Sequence, residues 1–396
     1  MADFDALLNR WQKAGVLDAE AARRIHAFEL ELEHPAGLRW QGMVALILGA
    51  LLLACGVILF VSAHWDDMGP GLRYTLVIGL VAVFHLGGAW AREHFHGLST
   101  ALHAVGTVST GAAIALVGQI FNIQEHWPAA ILLWAIAAAA GWILLQDEAQ
   151  QILTLLLFPA WILSELSYAA EGHIGQNVYL GRFLIVWAVL YLTLFLGFKH
   201  KVVQGVLFAA AAIAALVGTV VLMDGWRSWS SSQTFLPFHL RAWGWVDIAA
   251  LPLCIALIRL RKSLIPVAVA IIFSIPLPWC QRIWTESQDW GNGYKAMQIR
   301  NEPNLAAHAL VAAFCIFIIW WGVRQSSKAL VNLGMVSFAI AVFWFYYSDI
   351  FDKVGRSLGL IGLGILFLAG GWALEKTRRG LMTRMGQTNS STLEAQ

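Results

Sequence analysis

Runs of about twenty apolar residues recur along this chain from Gln41 almost to its end, and roughly that length carries one helix across the hydrocarbon of a bilayer. Twelve stretches qualify, about 41–64, 70–91, 99–122, 127–146, 149–169, 180–198, 202–223, 243–260, 263–280, 304–323, 329–347 and 354–375. Lipid offers no partner for a bare backbone, so each stretch reads as a helix. The expected fold class is therefore all-α: a polytopic membrane protein of about twelve transmembrane helices behind a short cytoplasmic N-terminal helical hairpin. Composition points the same way. Charged residues make up 13% and mean hydropathy is +0.66, against about 25% charged residues in a soluble domain. The lipid bilayer is thus the first partner. A net charge of only +2 gives no electrostatic footprint for nucleic acid.

Lysine and arginine fix the orientation, because they collect on the cytoplasmic side. With the N-terminus inside, 17 of the 26 basic residues fall on inner segments, among them Arg92, Lys199, Lys201, Arg259 and Arg324. The other 9 fall outside, many in the long loops 224–242 and 281–303. Tryptophan, which prefers the membrane–water interface, clusters at the outer edge (Trp65, Trp127, Trp243, Trp279) and the inner edge (Trp40, Trp90, Trp142, Trp372). Both termini are expected in the cytoplasm.

The expected organisation is a hairpin over 1–40, four spans over 41–146, four more over 147–262, a last four over 263–376, and a polar tail over 377–396. In the hairpin, Phe4, Leu7, Leu8 and Trp11 share one helix face. Gly15 stops that helix and Asp18 caps the next. A surface for a cytoplasmic protein partner over residues 1–38 is one use for such an element; docking on the membrane domain is another. No secretory leader is expected, since forty residues rich in Arg and Glu precede the first apolar run. A shift of 230 residues aligns Ile120-Phe121 with Ile350-Phe351 and Gly141-Trp142 with Gly371-Trp372. That hints at a repeat in which apolar composition alone supplies many matches.

Ionisable groups inside a span are costly, which makes each a candidate. Glu165, Arg73 and Asp247 lie at a similar depth near the outer edge, where they form either an outer polar vestibule or a structural ion pair. Gln119, Asn122 and His64 sit at the same level, with Asp66, Asp67, Glu125 and His126 in the loops. On the inner side His85 and His103 flank the turn between the second and third spans. Such a group either relays protons and senses pH or rests beside headgroups. Glycines recur at helix-packing spacings: Gly42, Gly49 and Gly56 on span 1, Gly111 and Gly118 on span 3, and Gly355, Gly359 and Gly362 on span 12. Small residues let helices approach in lipid, so close packing of these three spans is expected. The four cysteines form no CxxC pair, and neither a disulfide framework nor a metal site is expected. No catalytic or cofactor motif appears among the common signatures, so catalytic residues and cofactors are assigned as none.

One stretch resembles a known family. Leu7-Leu8, Arg10-Trp11, Ala14-Gly15-Val16-Leu17, Ala19-Glu20, Ala22 and Ile25 in the tail carry the likeness. Ile58-Leu59-Phe60, His64-Trp65, Arg73 and Gly118-Gln119-Ile120-Phe121-Asn122-Ile123 continue it. Over about 1–145 the chain resembles the bacterial predicted-membrane-protein family carrying domain of unknown function 2157. Members of that family often carry Asn at the position of His64. The resemblance implies a bacterial inner-membrane location and raises Trp65, Arg73 and Gln119 as candidates; it implies no molecular activity. The working reading is a transporter-like protein for a small solute or lipid. The alternative is a membrane-embedded scaffold or sensor acting through its hairpin, and an intramembrane enzyme comes third.

Overall fold

A computed structural model describes residues 8, 10–12, 14–32, 67–93, 95–122, 126–173, 175–224, 235–259, 264–289 and 295–347, with scattered positions between 361 and 380. The expected span 41–64 and most of 354–375 lie outside these residues. The chain divides into two compact units, Met1–Arg73 and Tyr74–Gln396.

In the first unit, Gly15 takes φ 70°, a left-handed conformation open to glycine without steric cost. The chain turns there into α1 (Ala19–Leu32). Asp18 caps that helix, its Oδ1 accepting the Ala21 amide at 2.6 Å. Leu8 and Ala22 are buried, whereas Val16, Trp11 and Ile25 are exposed.

The second unit is built almost wholly of long apolar helices. They are α2 (Pro70–Ala91, its first turn still in the first unit), α3 (His96–Ile120), α4 (Pro128–Leu145), α5 (Glu148–Ala169), α6 (Gln176–Gly197) and α7 (Lys201–Asp224). After them come α8 (Phe238–Trp245), a π-helical turn (Val246–Ala250) and α9 (Leu251–Arg259), which run on as one rod. The short α10 (Leu264–Ser274) precedes α11 (Leu305–Arg324) and α12 (Lys328–Phe345). Among the described residues nine helices are long and apolar enough to cross a membrane, the α8–α9 rod counting as one. Large apolar side chains such as Leu86, Trp90, Leu144, Ile258, Ile272 and Ile316 stand exposed on them, the surface a lipid-facing helix presents.

The stretch expected as a ninth span is cut short. α10 has 11 residues, about 16 Å of helix, and Pro276 and Pro278 turn the chain into a 3-10 turn at Leu277–Trp279. The expected loop 281–303 is also ordered. It forms β1 (Gln281–Asp289) and β2 (Lys295–Pro303), nine residues each and antiparallel, with Arg282 opposite Glu302 and Asp289 opposite Lys295.

The core is organised around α6, 14 of whose 22 residues are buried. α7, α10, the π-helical turn, α5 and α9 pack against it. Phe183, Ile185, Leu190, Leu207, Leu222 and Ile248 are wholly enclosed there. Three polar side chains on α6 explain how its neighbours tolerate proline, which removes an amide and leaves a carbonyl without its helical partner. Pro159 frees the Leu155 carbonyl inside α5, and the Tyr191 hydroxyl donates to it. In the π-helical turn the Leu251 amide reaches back to Val246. Asp247 would then bond Pro252, which has no amide; Trp187 Nε1 donates to the Asp247 carbonyl instead, at 3.2 Å. Pro278 frees the Ser274 carbonyl, and Arg182 Nε donates to it at 3.2 Å while Nη2 reaches Ile275 O at 3.2 Å. One helix thus satisfies breaks in three others.

Candidate functional site

The helices α2 to α5 carry a second set of polar contacts, and no proline calls for these. α3 contains no proline, yet its buried face bears Ser99, His103 and Thr107. α4 and α5 form an antiparallel hairpin turned by Gln146 at φ 54°. Asp147 then caps α5, accepting the Gln150 amide at 2.7 Å. That cap fixes the first turn of α5 and delivers the fully enclosed Gln150 side chain against α3. Gln150 Nε2 donates to the His103 carbonyl at 3.0 Å and to Thr107 Oγ1 at 2.8 Å. The Thr107 hydroxyl lies 3.0 Å from Gln150 Oε1 and 3.1 Å from the His103 carbonyl, either of which accepts its single hydrogen. Trp134 Nε1 donates to Thr107 O at 2.8 Å from α4.

His85 and His103 meet at the edge of this network, their Nδ1 atoms 3.1 Å apart and their ring centroids 5.4 Å apart. Each lies about 9–10 Å inside its helix end, at about 1.5 Å per residue. Two glycines make the meeting geometrically feasible. A Cβ added at Gly88 would sit 2.8 Å from the His103 ring, and one at Gly106 would sit 2.8 Å from the His85 ring. The pattern His-x-x-Gly therefore occurs on both helices, each histidine resting on the other helix's glycine. Ser99 Oγ closes the crossing with a 2.7 Å bond to the Gly88 carbonyl. The glycine seam reaches α4 as well: an added Cβ at Gly111 would overlap the Trp134 ring.

Of the residues expected at one polar level, Glu165 has two partners. Glu165 accepts Trp161 Nε1 at 3.0 Å and meets His126 Nε2 at 3.0 Å. A carboxylate near the C-terminal end of α5 is thus paired with a loop histidine. Asp247 lies in the π-helical turn of the α8–α9 rod and belongs, like Glu165, to the second unit; Arg73 closes the first. Asn122 adopts φ 51° just past α3 and Gln119 is exposed in its last turn. His64, Gly42, Gly49, Gly56, Gly355 and Gly359 lie outside the described residues. An added Cβ at Gly362 would overlap the Tyr346 hydroxyl, while Gly118 lies half-buried near the end of α3.

Arg182 and Gln150 lie within the expected spans 180–198 and 149–169, and sequence reasoning did not single them out as candidates. Arg182 sits inside α6, because the helix starts at Gln176 after Gly175 at φ 98°. It is buried with its guanidinium 5.0 Å from the Trp245 ring centre and 5.9 Å from that of Tyr179. The signal that could have found it is the Pro276–Pro278 break, which needs a strong donor. Among the described residues no group of three or more metal-ligating side chains converges.

These helices define an all-α polytopic membrane protein, embedded in the bilayer through multiple spans. Residues 9–151 match the family described as Predicted membrane protein (DUF2157), so the resemblance read from residues 1–145 holds. The histidine pair, its glycines and Gln150 all fall within the matched stretch. No curated protein and no solved structure matches the chain.

Proposed function

We propose that this protein is a transporter-like component of the bacterial inner membrane, moving a small solute or a lipid, with its N-terminus in the cytoplasm. One observation carries the reading: the α2–α5 network places Gln150, Thr107, Ser99 and His103 in buried positions within spanning helices that no proline interrupts at those points. Polar groups there are expensive in lipid, and helix packing alone needs only the small residues that already line the seam. A polar path through the family domain accounts for both. The basic residues on inner segments and the interfacial tryptophans support the orientation.

Reconstituting the full chain in liposomes tests it. Labelled glycine, acetate and phosphate would be followed in turn, together with the exposure of fluorophore-tagged phosphatidylcholine to a membrane-impermeant reductant. Protein-dependent flux of any one probe above protein-free liposomes, reduced at least tenfold in Gln150→Leu, supports the proposal. Background rates for all four overturn it.

A scaffold or sensor acting through the N-terminal hairpin is the second reading. It is favoured by the separate first unit, on which Trp11, Val16 and Ile25 stand exposed. Deleting residues 1–38 separates the two readings: a transporter keeps its flux, and a scaffold loses the function of the cell-borne protein outright.

A further inference from the structure

We infer that His85 and His103 form a single binding site for one proton within the membrane, shared between their two Nδ1 atoms. An Nδ1···Nδ1 distance of 3.1 Å is a hydrogen bond only if one hydrogen lies between the atoms, since an imidazole nitrogen donates when protonated and accepts when bare. In the neutral pair the rings must therefore hold opposite tautomers. Among the described residues His103 Nε2 is buried without a partner. In one of the two assignments that opposite tautomers allow, His103 keeps its hydrogen on Nδ1 and leaves Nε2 bare. His85 then accepts at Nδ1 and carries its own hydrogen on Nε2.

From that state the pair has room for one more proton. Added at the bare Nε2 of His103, it makes an imidazolium whose Nδ1–H already points at a basic nitrogen, a charge-assisted bond of the stronger kind. If the bridging hydrogen crosses to His85 and His85 then releases its Nε2 hydrogen, one proton has entered and one has left, with the tautomers exchanged. A second added proton would set N–H against N–H between two cations. The rings cannot swing apart without losing the places that Gly88 and Gly106 provide, and the His103 backbone is held by Gln150 and Thr107.

Among the described residues no other charge competes for the site. α4 has no titratable side chain. At the start of α5, Asp147 caps the helix and Glu148 meets His200; at its far end Glu165 meets His126, with Tyr168 beside that histidine. Tyr74 lies at the opposite end of α2 from His85, Arg92 and Glu93 follow that helix, and His96 opens α3. Neither imidazole forms an ion pair with any of them. The site stands apart from the transport reading, because proton binding needs no solute.

The test uses the full chain in lipid nanodiscs. Proton uptake is measured with a pH indicator as the medium is taken from about pH 8 to about pH 5, the range in which histidines titrate, for the wild type and for the double variant His85→Gln/His103→Gln. The expected difference is one proton per chain. A difference of two, as for independent histidines, or of none overturns the inference. A second measurement does not depend on the variant folding: nitrogen-15 NMR of histidine-labelled wild type should show one scalar coupling between the two Nδ1 nuclei across their shared hydrogen. Uncoupled Nδ1 resonances at every pH also overturn it. Loss of flux in the liposome assay leaves both results untouched, so failure of the two proposals is told apart.

Discussion

Polar side chains are buried in two parts of the second unit, and they do different jobs. Around α6, three long buried donors answer carbonyls at proline breaks: Tyr191 at Leu155, Trp187 at Asp247, and Arg182 at Ser274 and Ile275. Around α3, Gln150, Thr107 and His103 bond one another and an unbroken helix. A polar group that restores a broken backbone explains itself structurally, because an unsatisfied carbonyl in hydrocarbon costs several kcal/mol. A polar group that restores nothing does not. This is why the functional reading is placed on α2–α5, although α6 holds the more deeply buried charge.

The comparison breaks most readily at Arg182. Replacing it with Met preserves bulk but leaves two carbonyls bare, and bonds from a charged donor are each worth about 1.5–3 kcal/mol. Arg182→Met should lower stability by about 3 kcal/mol in reversible unfolding from mixed micelles. Pro278→Ala restores an amide that can bond Ser274 O. In the double variant the cost of losing Arg182 should therefore shrink by about 1 kcal/mol, a coupling that a double-mutant cycle reads directly. Strict additivity would mean that Arg182 does not serve the proline break.

On the α3 side the next largest effect is steric. Gly111→Ala drives a methyl into the Trp134 ring, and overpacking of this kind costs about 1–3 kcal/mol. It should also detach Trp134 Nε1 from Thr107 O, which a change in tryptophan fluorescence and faster amide exchange around Gly111 would report. Gln150→Leu comes below it. Side-chain hydrogen bonds between membrane helices average about 0.6 kcal/mol, so unfolding should shift by no more than about 1 kcal/mol while flux falls at least tenfold. A stability loss as large as that of Arg182→Met would show that the network is structural after all and erase the contrast between the two regions.

Much of this was legible in the sequence for a simple reason. A span is written as an uninterrupted apolar run, and the structure starts and ends most spans within a few residues of where those runs do. Orientation across helices is not written that way. His85 and His103 stood out as inner histidines, but that they touch depends on the register of α2 against α3, set by Gly88 and Gly106. The doubled His-x-x-Gly was the visible trace of that register. Arg182 was counted among the nine basic residues outside, although it falls within the run 180–198 and α6 begins four residues before that run. The β1–β2 ladder escaped notice because polar residues occupy both alternating positions of its strands, so no period of two marks either face. His126, taken as a solvated loop residue, pairs with Glu165, a loop-to-helix contact that no spacing in the sequence marks.

The smallest expected effect lies at that pair, and it sharpens the comparison from a third position. Glu165 and His126 side chains are 32% and 50% exposed, and ion pairs open to solvent contribute about 0–1 kcal/mol. Glu165→Gln retains the acceptor for Trp161 Nε1 and removes only the charge, so its unfolding midpoint should move by a few tenths of a kcal/mol at most. Transport is the informative readout. If flux depends on the carboxylate, the polar path runs from the inner histidines to the outer end of α5, and Glu165→Gln reduces flux severalfold without touching stability. If flux is unchanged, Glu165 is a packing group like Tyr191, and the path ends within α3 and Gln150. Because α5 carries both Gln150 and Glu165 about four turns apart at about 3.6 residues per turn, the two variants measured in the same liposomes locate the outer limit of the path on a single helix.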